Sequence, residues 1–176
     1  LENETFRYVA CKPNYYIAPT NKDKHGKELW NHHKMVKRTM FNYDGVEGGK
    51  TGYTTKAGGT LVTFAKRGDQ ELIVVDLCAH GYELYEDTIK MLNYGFNNYK
   101  TIAPFKTMNT VLKDDTYGFL KTGNELSPYK IPLKHLNDVT VMLEKNQSAS
   151  KLTYKCKDNK YTISYDGKQI GSVKLH

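Results

Sequence analysis

The residues of this chain that are best suited to chemistry lie in one short run, Val46–Thr54, which contains the triplet Lys50-Thr51-Gly52. A lysine ammonium and a threonine hydroxyl can both donate hydrogen bonds to a carboxylate. Glycine has no Cβ, so another chain can lie close against the strand at that point. The triplet alone is weak evidence, because an ordinary edge strand with a solvated lysine has the same residues.

A second triplet, Lys121-Thr122-Gly123, provides a comparison within the same chain. It ends a predicted strand and precedes Asn124-Glu125, which indicates a turn glycine rather than a binding site. The first triplet differs in its surroundings. A turn at 42–45 precedes it, and two strand-like runs at 57–67 and 71–77 follow it.

With this context the sequence resembles the serine D-alanyl-D-alanine carboxypeptidases, the low-molecular-mass penicillin-binding proteins. Their third active-site motif is Lys-Thr-Gly on a strand that lines the cleft. The resemblance runs from about residue 4 to residue 99. It includes the polar-to-apolar step at 29–36 before the motif and a helix at 82–98 after it.

One departure from the family pattern is large. The family's Ser-x-x-Lys motif, with the nucleophile, and its Ser-x-Asn motif, with a second hydroxyl, are expected upstream of Leu1, and no serine precedes Ser127. The resemblance therefore implies the C-terminal portion of such an enzyme without its catalytic serine. A first residue other than methionine also indicates a fragment, whose partner would be an upstream N-terminal fragment of the same protein.

The resemblance also implies roles for the motif residues. Lys50 would bind the terminal carboxylate of the substrate and contact the hydroxyl of the missing Ser-x-Asn serine, and the hydroxyl of Thr51 would bind the same carboxylate. Gly52 would let the substrate backbone lie alongside the strand. The backbone N–H of Tyr53 would contribute to an oxyanion hole, and Thr54 would extend the polar edge. This chemistry needs no metal and no cofactor.

The implied function is that of a D,D-carboxypeptidase that removes the terminal D-Ala from peptidoglycan stem peptides through an acyl-serine intermediate. Its partners would be peptides that end in D-Ala-D-Ala, with β-lactams as inhibitors, and this chain alone is expected to be inactive. Such enzymes are usually exported, to the outer face of the bacterial cytoplasmic membrane or the cell wall. Two alternatives stay open: a class A-type β-lactamase, and a peptidoglycan-binding or regulatory protein that kept the fold without turnover.

Residue patterns predict the elements that position the motif. They are a helix end at 5–10, a strand at 15–17, a polar loop at 19–27, the motif strand at about 48–54, and hairpin arms at 60–65 and 71–77. Both arms are nearly continuous apolar runs, so we expect both faces of their sheet to be covered. A helical stripe that would cover one face consists of Tyr85, Ile89, Leu92, Phe96 and Tyr99.

After about residue 101 the apolar period changes from helical to two residues. The candidate strands lie at 116–120, 129–133, 139–143, 152–156, 161–165 and 170–175, which predicts a small β-sandwich or barrel-like module. The predicted fold class is thus α+β. The C-terminal part of a penicillin-binding-protein or β-lactamase-like transpeptidase domain, an antiparallel sheet covered by helices at 1–100, precedes an all-β module at 101–176.

Composition limits the other function classes. The net charge is +7, and residues 101–176 hold twelve lysines against seven aspartates and glutamates. This excess predicts an anionic environment, and an anionic bacterial envelope fits it. Nucleic acid is not expected as a partner, because the lysines are spread along strand-like segments without a basic arm or a known nucleic-acid module.

The histidines and cysteines give no metal pattern. His32 and His33 are adjacent, so on an extended segment they point to opposite sides, and no third ligand stands at useful spacing. We therefore expect exposed or cleft-rim histidines. Cys11, Cys78 and Cys156 are widely spaced, and Cys78 follows an apolar strand, which predicts a small core residue.

Overall fold

The computed structural model describes residues 3–37, 40–106, 110–112, 117–122, 125–126, 131–132, 139–157 and 160–174. Its contacts divide the chain into two compact units, Leu1–Asn97 and Asn98–His176. None of the helices in the described ranges is long and apolar enough to cross a lipid bilayer.

The first unit contains two helices and five strands within the described ranges. They are α1 (Glu4–Ala10), β1 (Asn14–Ile17), β2 (Lys27–Trp30), β3 (Val46–Thr54), β4 (Gly58–Arg67), β5 (Gln70–Ala79) and α2 (Glu83–Asn98). The predicted helix end, motif strand, hairpin and covering helix are all present. Strand β2, which pairs with β1 in an antiparallel hairpin, was not predicted, because its four residues show no alternation of apolar and polar side chains.

The three-stranded sheet of the first unit is antiparallel, in the order β3-β4-β5, so the motif strand β3 is an edge strand. One face of the sheet, called here the helix face, packs against α2. Its buried core consists of Met35, Phe41, Leu61, Ala65, Val74, Leu84, Tyr85, Leu92 and Phe96. The predicted helical stripe is confirmed through Phe96, whereas Tyr99 begins the next strand.

The opposite face carries four exposed apolar residues and is called here the open face: Val62, Ile73, Val75 and Leu77, whose exposed fractions are 37%, 59%, 53% and 67%. The expectation that both faces are covered was therefore wrong for the described residues. In the part of the chain that the structure describes, this face is covered only at its end near Phe64, since a Cβ on Gly48 would meet the Phe64 ring at 2.4 Å and the Ala10 carbonyl oxygen at 2.9 Å.

Cys78 is exposed, so the prediction of a core residue was wrong. Its backbone has φ 63°, and the β4–β5 pairing shifts there, because Gly59 pairs with Ala79 and Thr60 pairs with Leu77. Cys78 is thus the extra residue of a β-bulge, and the bulge interrupts the alternation that the prediction assumed.

Within the described residues, the second unit contains short antiparallel strands and two 3-10 turns, at Pro104–Lys106 and Ala149–Lys151. The strands are β6 (Tyr99–Ile102), β7 (Thr110–Leu112), β8 (Tyr117–Thr122), β9 (Glu125–Leu126), β10 (Ile131–Pro132), β11 (Val141–Glu144), β12 (Leu152–Lys157), β13 (Lys160–Tyr165) and β14 (Lys168–Lys174). Parts of the predicted strands lie outside the described ranges, namely residues 116, 129–130, 133 and 175. Gly123 of the second triplet also lies outside them.

The core of the second unit lies between the β6–β11 pair and the sheet β12-β13-β14. Its buried residues are Phe105, Val141, Leu143, Leu152, Tyr161 and Ile163. Alternate residues on β11, β12 and β13 point into this core, which is the two-residue period that the sequence shows.

Candidate functional site

Two glycines bring the start of the motif strand into close contact with its surroundings. At Gly49 a Cβ would lie 2.1 Å from the Val62 carbonyl oxygen and 2.7 Å from the His33 ring, and at Gly48 it would meet the Phe64 ring. Any larger residue would push β3 away from β4. The pair of glycines before Lys50 is therefore a steric requirement of the sheet itself.

Lys50 is exposed and pairs across the strands with Val62 of the open face. Its Nζ donates a hydrogen bond to the Thr51 carbonyl oxygen at 2.6 Å. Among the described residues no carboxylate pairs with it. The ammonium group is thus held against its own strand beside the open face.

Thr51 and Gly52 continue the alternation along β3. Thr51 is half-buried and pairs with Leu61 of the helix face, so Lys50 and Thr51 lie on opposite faces. One carboxylate could contact both side chains only at the free edge of β3. Gly52 pairs with Thr60, and a Cβ there would lie 2.5 Å from the Thr60 hydroxyl oxygen.

Thr60 is a polar residue of this edge that the sequence analysis missed. Its hydroxyl oxygen lies beside Gly52 because β4 pairs with β3 in this register. Cross-strand pairing depends on the length of the connecting turn, so no signal in the separate segments could have identified it.

Tyr53 and Thr54 end the motif strand. The Tyr53 side chain is 77% exposed, and its residue pairs with Gly59. The Thr54 hydroxyl oxygen accepts a hydrogen bond from the Ala57 backbone N–H at 3.0 Å, which closes the turn to β4. Thr54 therefore has a structural function in the turn, and its binding of substrate stays a prediction, as do the roles of Lys50, Thr51, Gly52 and Tyr53.

His33 supports the motif strand from below. It is fully buried, so the expectation of an exposed or cleft-rim histidine was wrong for His33, whereas His32 is exposed. Its Nε2 lies 2.9 Å from the Thr63 hydroxyl oxygen, and its Nδ1 has no partner among the described residues. Burial lowers the pKa of His33 from 6.5 to about 4, so the ring is neutral at pH 7.

An ion cluster fixes the other end of β3. The Arg7 guanidinium of α1 pairs with Glu47 of β3 and, at 3.5 Å, with Glu71 of β5, which also accepts a hydrogen bond from Lys66 at 2.8 Å. The hydrogen bond from Lys66 is the largest cause that lowers the pKa of Glu71. The four side chains are partly exposed, so the cluster orients α1 more than it stabilises the fold.

The described residues contain no group of three His, Cys, Asp or Glu side chains that could hold a metal ion. What the edge of β3 does offer is one exposed cation, two hydroxyl groups and a glycine, on a strand whose outer edge is unpaired in the described sheet. This arrangement can bind an extended chain with a carboxylate group.

Comparison with known proteins finds two D-alanyl-D-alanine carboxypeptidases among the curated relatives of this chain. No protein-family model matches the chain. D-alanyl-D-alanine carboxypeptidase DacF of Bacillus subtilis (strain 168) is 29% identical over 154 residues, which cover 85% of this chain and 37% of the relative. D-alanyl-D-alanine carboxypeptidase DacC of Escherichia coli (strain K12) is 35% identical over 77 residues, which cover 43% of this chain and 18% of the relative. The chain thus spans well under half the length of either relative.

Solved structures show the same fold. Penicillin-binding protein 5 from Haemophilus influenzae matches with a TM-score of 0.58 at 22% identity and covers 96% of this chain and 49% of its own. Penicillin-binding protein 6B from Escherichia coli matches with a TM-score of 0.54 at 19% identity and covers 98% and 44%. The predicted fold class is therefore confirmed, and the curated relatives confirm the resemblance to D-alanyl-D-alanine carboxypeptidases.

Proposed function

We propose that this chain supplies the Lys-Thr-Gly strand of a serine D,D-carboxypeptidase that removes the terminal D-Ala from peptidoglycan stem peptides. One observation carries the proposal. Lys50-Thr51-Gly52 lies on the edge strand of an antiparallel sheet, with the lysine exposed, in a chain whose curated relatives are named D-alanyl-D-alanine carboxypeptidases.

The edge strand would hold the substrate peptide as an additional strand. Main-chain hydrogen bonds along β3 would give affinity, and the absence of a Cβ at Gly52 leaves room for the substrate backbone. Lys50 would attract the terminal carboxylate, and Thr51 would donate a hydrogen bond to it from the strand edge. The Thr60 hydroxyl beside Gly52 adds a further polar contact.

The backbone N–H of Tyr53 would stabilise the oxyanion of the acyl-transfer transition state. Removing one such donor typically costs about 3 kcal/mol of transition-state stabilisation. Because the donor belongs to the backbone, the exposed Tyr53 side chain is free to vary without loss of this role.

The nucleophile would come from an upstream N-terminal polypeptide of the same protein that packs on the open face. Two observations support this step: no serine precedes Ser127, and the apolar residues Val62, Ile73, Val75 and Leu77 are exposed beside Lys50. Contact with an apolar surface would bury these four side chains and bring a Ser-x-x-Lys serine and its base next to Lys50. The complete protein would act outside the cytoplasmic membrane, where its substrate and β-lactam inhibitors are found.

Intact-mass spectrometry of the protein isolated from its source, before and after incubation with a penicillin, tests the proposal. We expect a penicilloyl mass increase on an upstream polypeptide that co-purifies with this chain, and no increase on the chain itself. If the upstream polypeptide is present and folded but carries no adduct, the carboxypeptidase proposal fails. That result would favour the alternative of a peptidoglycan-binding protein without turnover.

A further inference from the structure

The sheet β12-β13-β14 of the second unit has one face in the core and one face in solvent. Leu152, Tyr161 and Ile163 are buried in the core. The outward positions are nine, all of them polar: Thr153, Lys155, Lys157, Lys160, Thr162, Ser164, Gln169, Ser172 and Lys174. They define what is called here the lysine face.

The lysines on this face stand directly beside one another. Lys157 pairs with Lys160, and Lys160 pairs with Lys174, so three ammonium-bearing residues form one row across three strands. Lys155 stands two residues along β12 in the next row, opposite Thr162. Neighbours in a row are about 5 Å apart at Cβ, and rows about 7 Å apart. The face is thus a compact, regular array of positive charge.

No carboxylate neutralises this array within the described residues. Among the residues that the structure describes, none of the four lysines takes part in an ion pair, and Asp166 at the far end of the hairpin pairs with Lys151. Like charges directly opposite one another on a sheet are destabilising. Packing of the core does not require these lysines, because any polar side chain is compatible with a position that points into solvent. Binding of an anionic ligand would offset the repulsion between these lysines.

The other side chains of the face decide what kind of anion fits. No aromatic or aliphatic side chain stands among the nine positions, so the face offers nothing that stacks on a nucleobase or inserts into a bilayer. Four hydroxyl groups and an amide accompany the lysines, and hydroxyl groups suit a partner rich in hydroxyl and phosphate oxygens. The row of lysines crosses three neighbouring strands, which fits an extended chain with charges repeated along it.

We propose that the lysine face binds a linear phosphodiester polymer of a polyol, with successive phosphates along the rows formed by Lys155, Lys157, Lys160 and Lys174. The face lies in the second unit, so this binding does not depend on the catalytic function proposed for β3. The carboxypeptidase proposal and the polymer-binding proposal can fail separately. Penicillin acylation tests a serine of the upstream polypeptide, whereas polymer binding tests the lysines of the second unit.

The test uses the full chain and a fluorescently labelled synthetic glycerol phosphate oligomer, with binding followed by anisotropy at several salt concentrations. The triple variant Lys157→Gln/Lys160→Gln/Lys174→Gln removes the row. The matched control Lys22→Gln/Lys24→Gln/Lys27→Gln removes the same net charge from exposed positions of the first unit. Circular dichroism confirms that both variants fold.

We expect the row variant to bind at least about tenfold more weakly and to lower the slope of log K against log salt by about 2, because three lysine–phosphate contacts are lost. The control variant keeps the affinity of the parent, and arginine at the three row positions restores binding. Equal losses in both glutamine variants would overturn the proposal. Tighter binding to single-stranded DNA or to phosphatidylserine vesicles than to the oligomer would also overturn it.

Discussion

At the scale of single residues, the motif strand is positioned by groups that the triplet itself does not reveal. Gly49 lies between the buried imidazole of His33 and the Val62 carbonyl oxygen, one residue before Lys50. The hydrogen bond between the His33 imidazole and the Thr63 hydroxyl of β4 therefore holds the ring against Gly49 of β3. From the sequence we expected an exposed or cleft-rim His33, because adjacent histidines carry no burial signal of their own.

The buried His33 makes the stability of the first unit depend on pH. Its folded pKa, about 4, lies below its ordinary value of 6.5. The unfolded chain therefore takes up a proton as the pH falls below 6.5, whereas the folded chain does not until about pH 4. Stability is fully present above pH 6.5 and decreases between these limits, by about 2 kcal/mol from pH 7 to pH 5.

Urea unfolding followed through Trp30, the one tryptophan of the sequence, measures this change in the first unit. His33→Gln keeps a hydrogen-bonding side chain next to Thr63 but does not titrate. We expect the variant to lose much less stability than the parent between pH 7 and pH 5. Equal losses in the two proteins would show that other groups cause the pH dependence.

A second prediction at this scale concerns Gly49. In Gly49→Ala the new Cβ would stand 2.1 Å from a backbone oxygen that cannot move without breaking the sheet. The matched control is Gly68→Ala, where a Cβ meets nothing within 4 Å and only the positive φ of 57° is unfavourable. We expect the control to cost about 1 kcal/mol of unfolding free energy and Gly49→Ala to cost clearly more, in the same urea assay. Similar costs would mean that β3 is not confined at Gly49.

At the scale of elements, α2 and the hairpin β4–β5 form the support of the motif strand. The apolar stripe of α2 and the apolar runs of both arms were readable from the sequence, because period and composition identify them directly. The bulge at Cys78, the pairing of Thr60 with Gly52 and the strand β2 were not. These features depend on register and on contacts between distant segments, which local patterns do not encode.

The packing of α2 leads to a third prediction. Leu92 is fully buried against the sheet, whereas its neighbour Met91 is 39% exposed. Leu92→Ala is expected to lower the unfolding free energy by about 2–5 kcal/mol through lost burial and a remaining cavity. Met91→Ala, the control on the same helix, should cost less than about 1 kcal/mol. Comparable losses in thermal unfolding would contradict the placement of the core.

At the scale of the whole molecule, the sequence predicted the fold class and the resemblance that the curated relatives confirm. It did not predict the open face. Two continuous apolar arms normally indicate a sheet covered on both sides, and the described residues cover one. The difference is explained if the second cover is an upstream polypeptide, which is the step that joins the structure to the proposed function.

The open face therefore leads to a fourth prediction. Ile73→Asp and Leu77→Asp replace exposed side chains, so the isolated chain should keep its stability within about 0.5 kcal/mol and associate less with itself. Each variant should fail to co-purify with the upstream polypeptide. Sedimentation velocity and affinity co-purification measure the two effects. A variant that unfolds the isolated chain would show that the open face is part of its own core.

The most direct test of the central claim is the release of D-Ala from a stem pentapeptide by the complex of this chain with its upstream polypeptide. Lys50→Gln is compared with Lys121→Gln, which makes the same change in the second Lys-Thr-Gly triplet. We predict that Lys50→Gln lowers kcat/KM for D-Ala release at least about a hundredfold and that Lys121→Gln leaves it unchanged. Equal activity of the two variants, or no release by the parent complex, would contradict the assignment of the β3 edge as part of a carboxypeptidase active site.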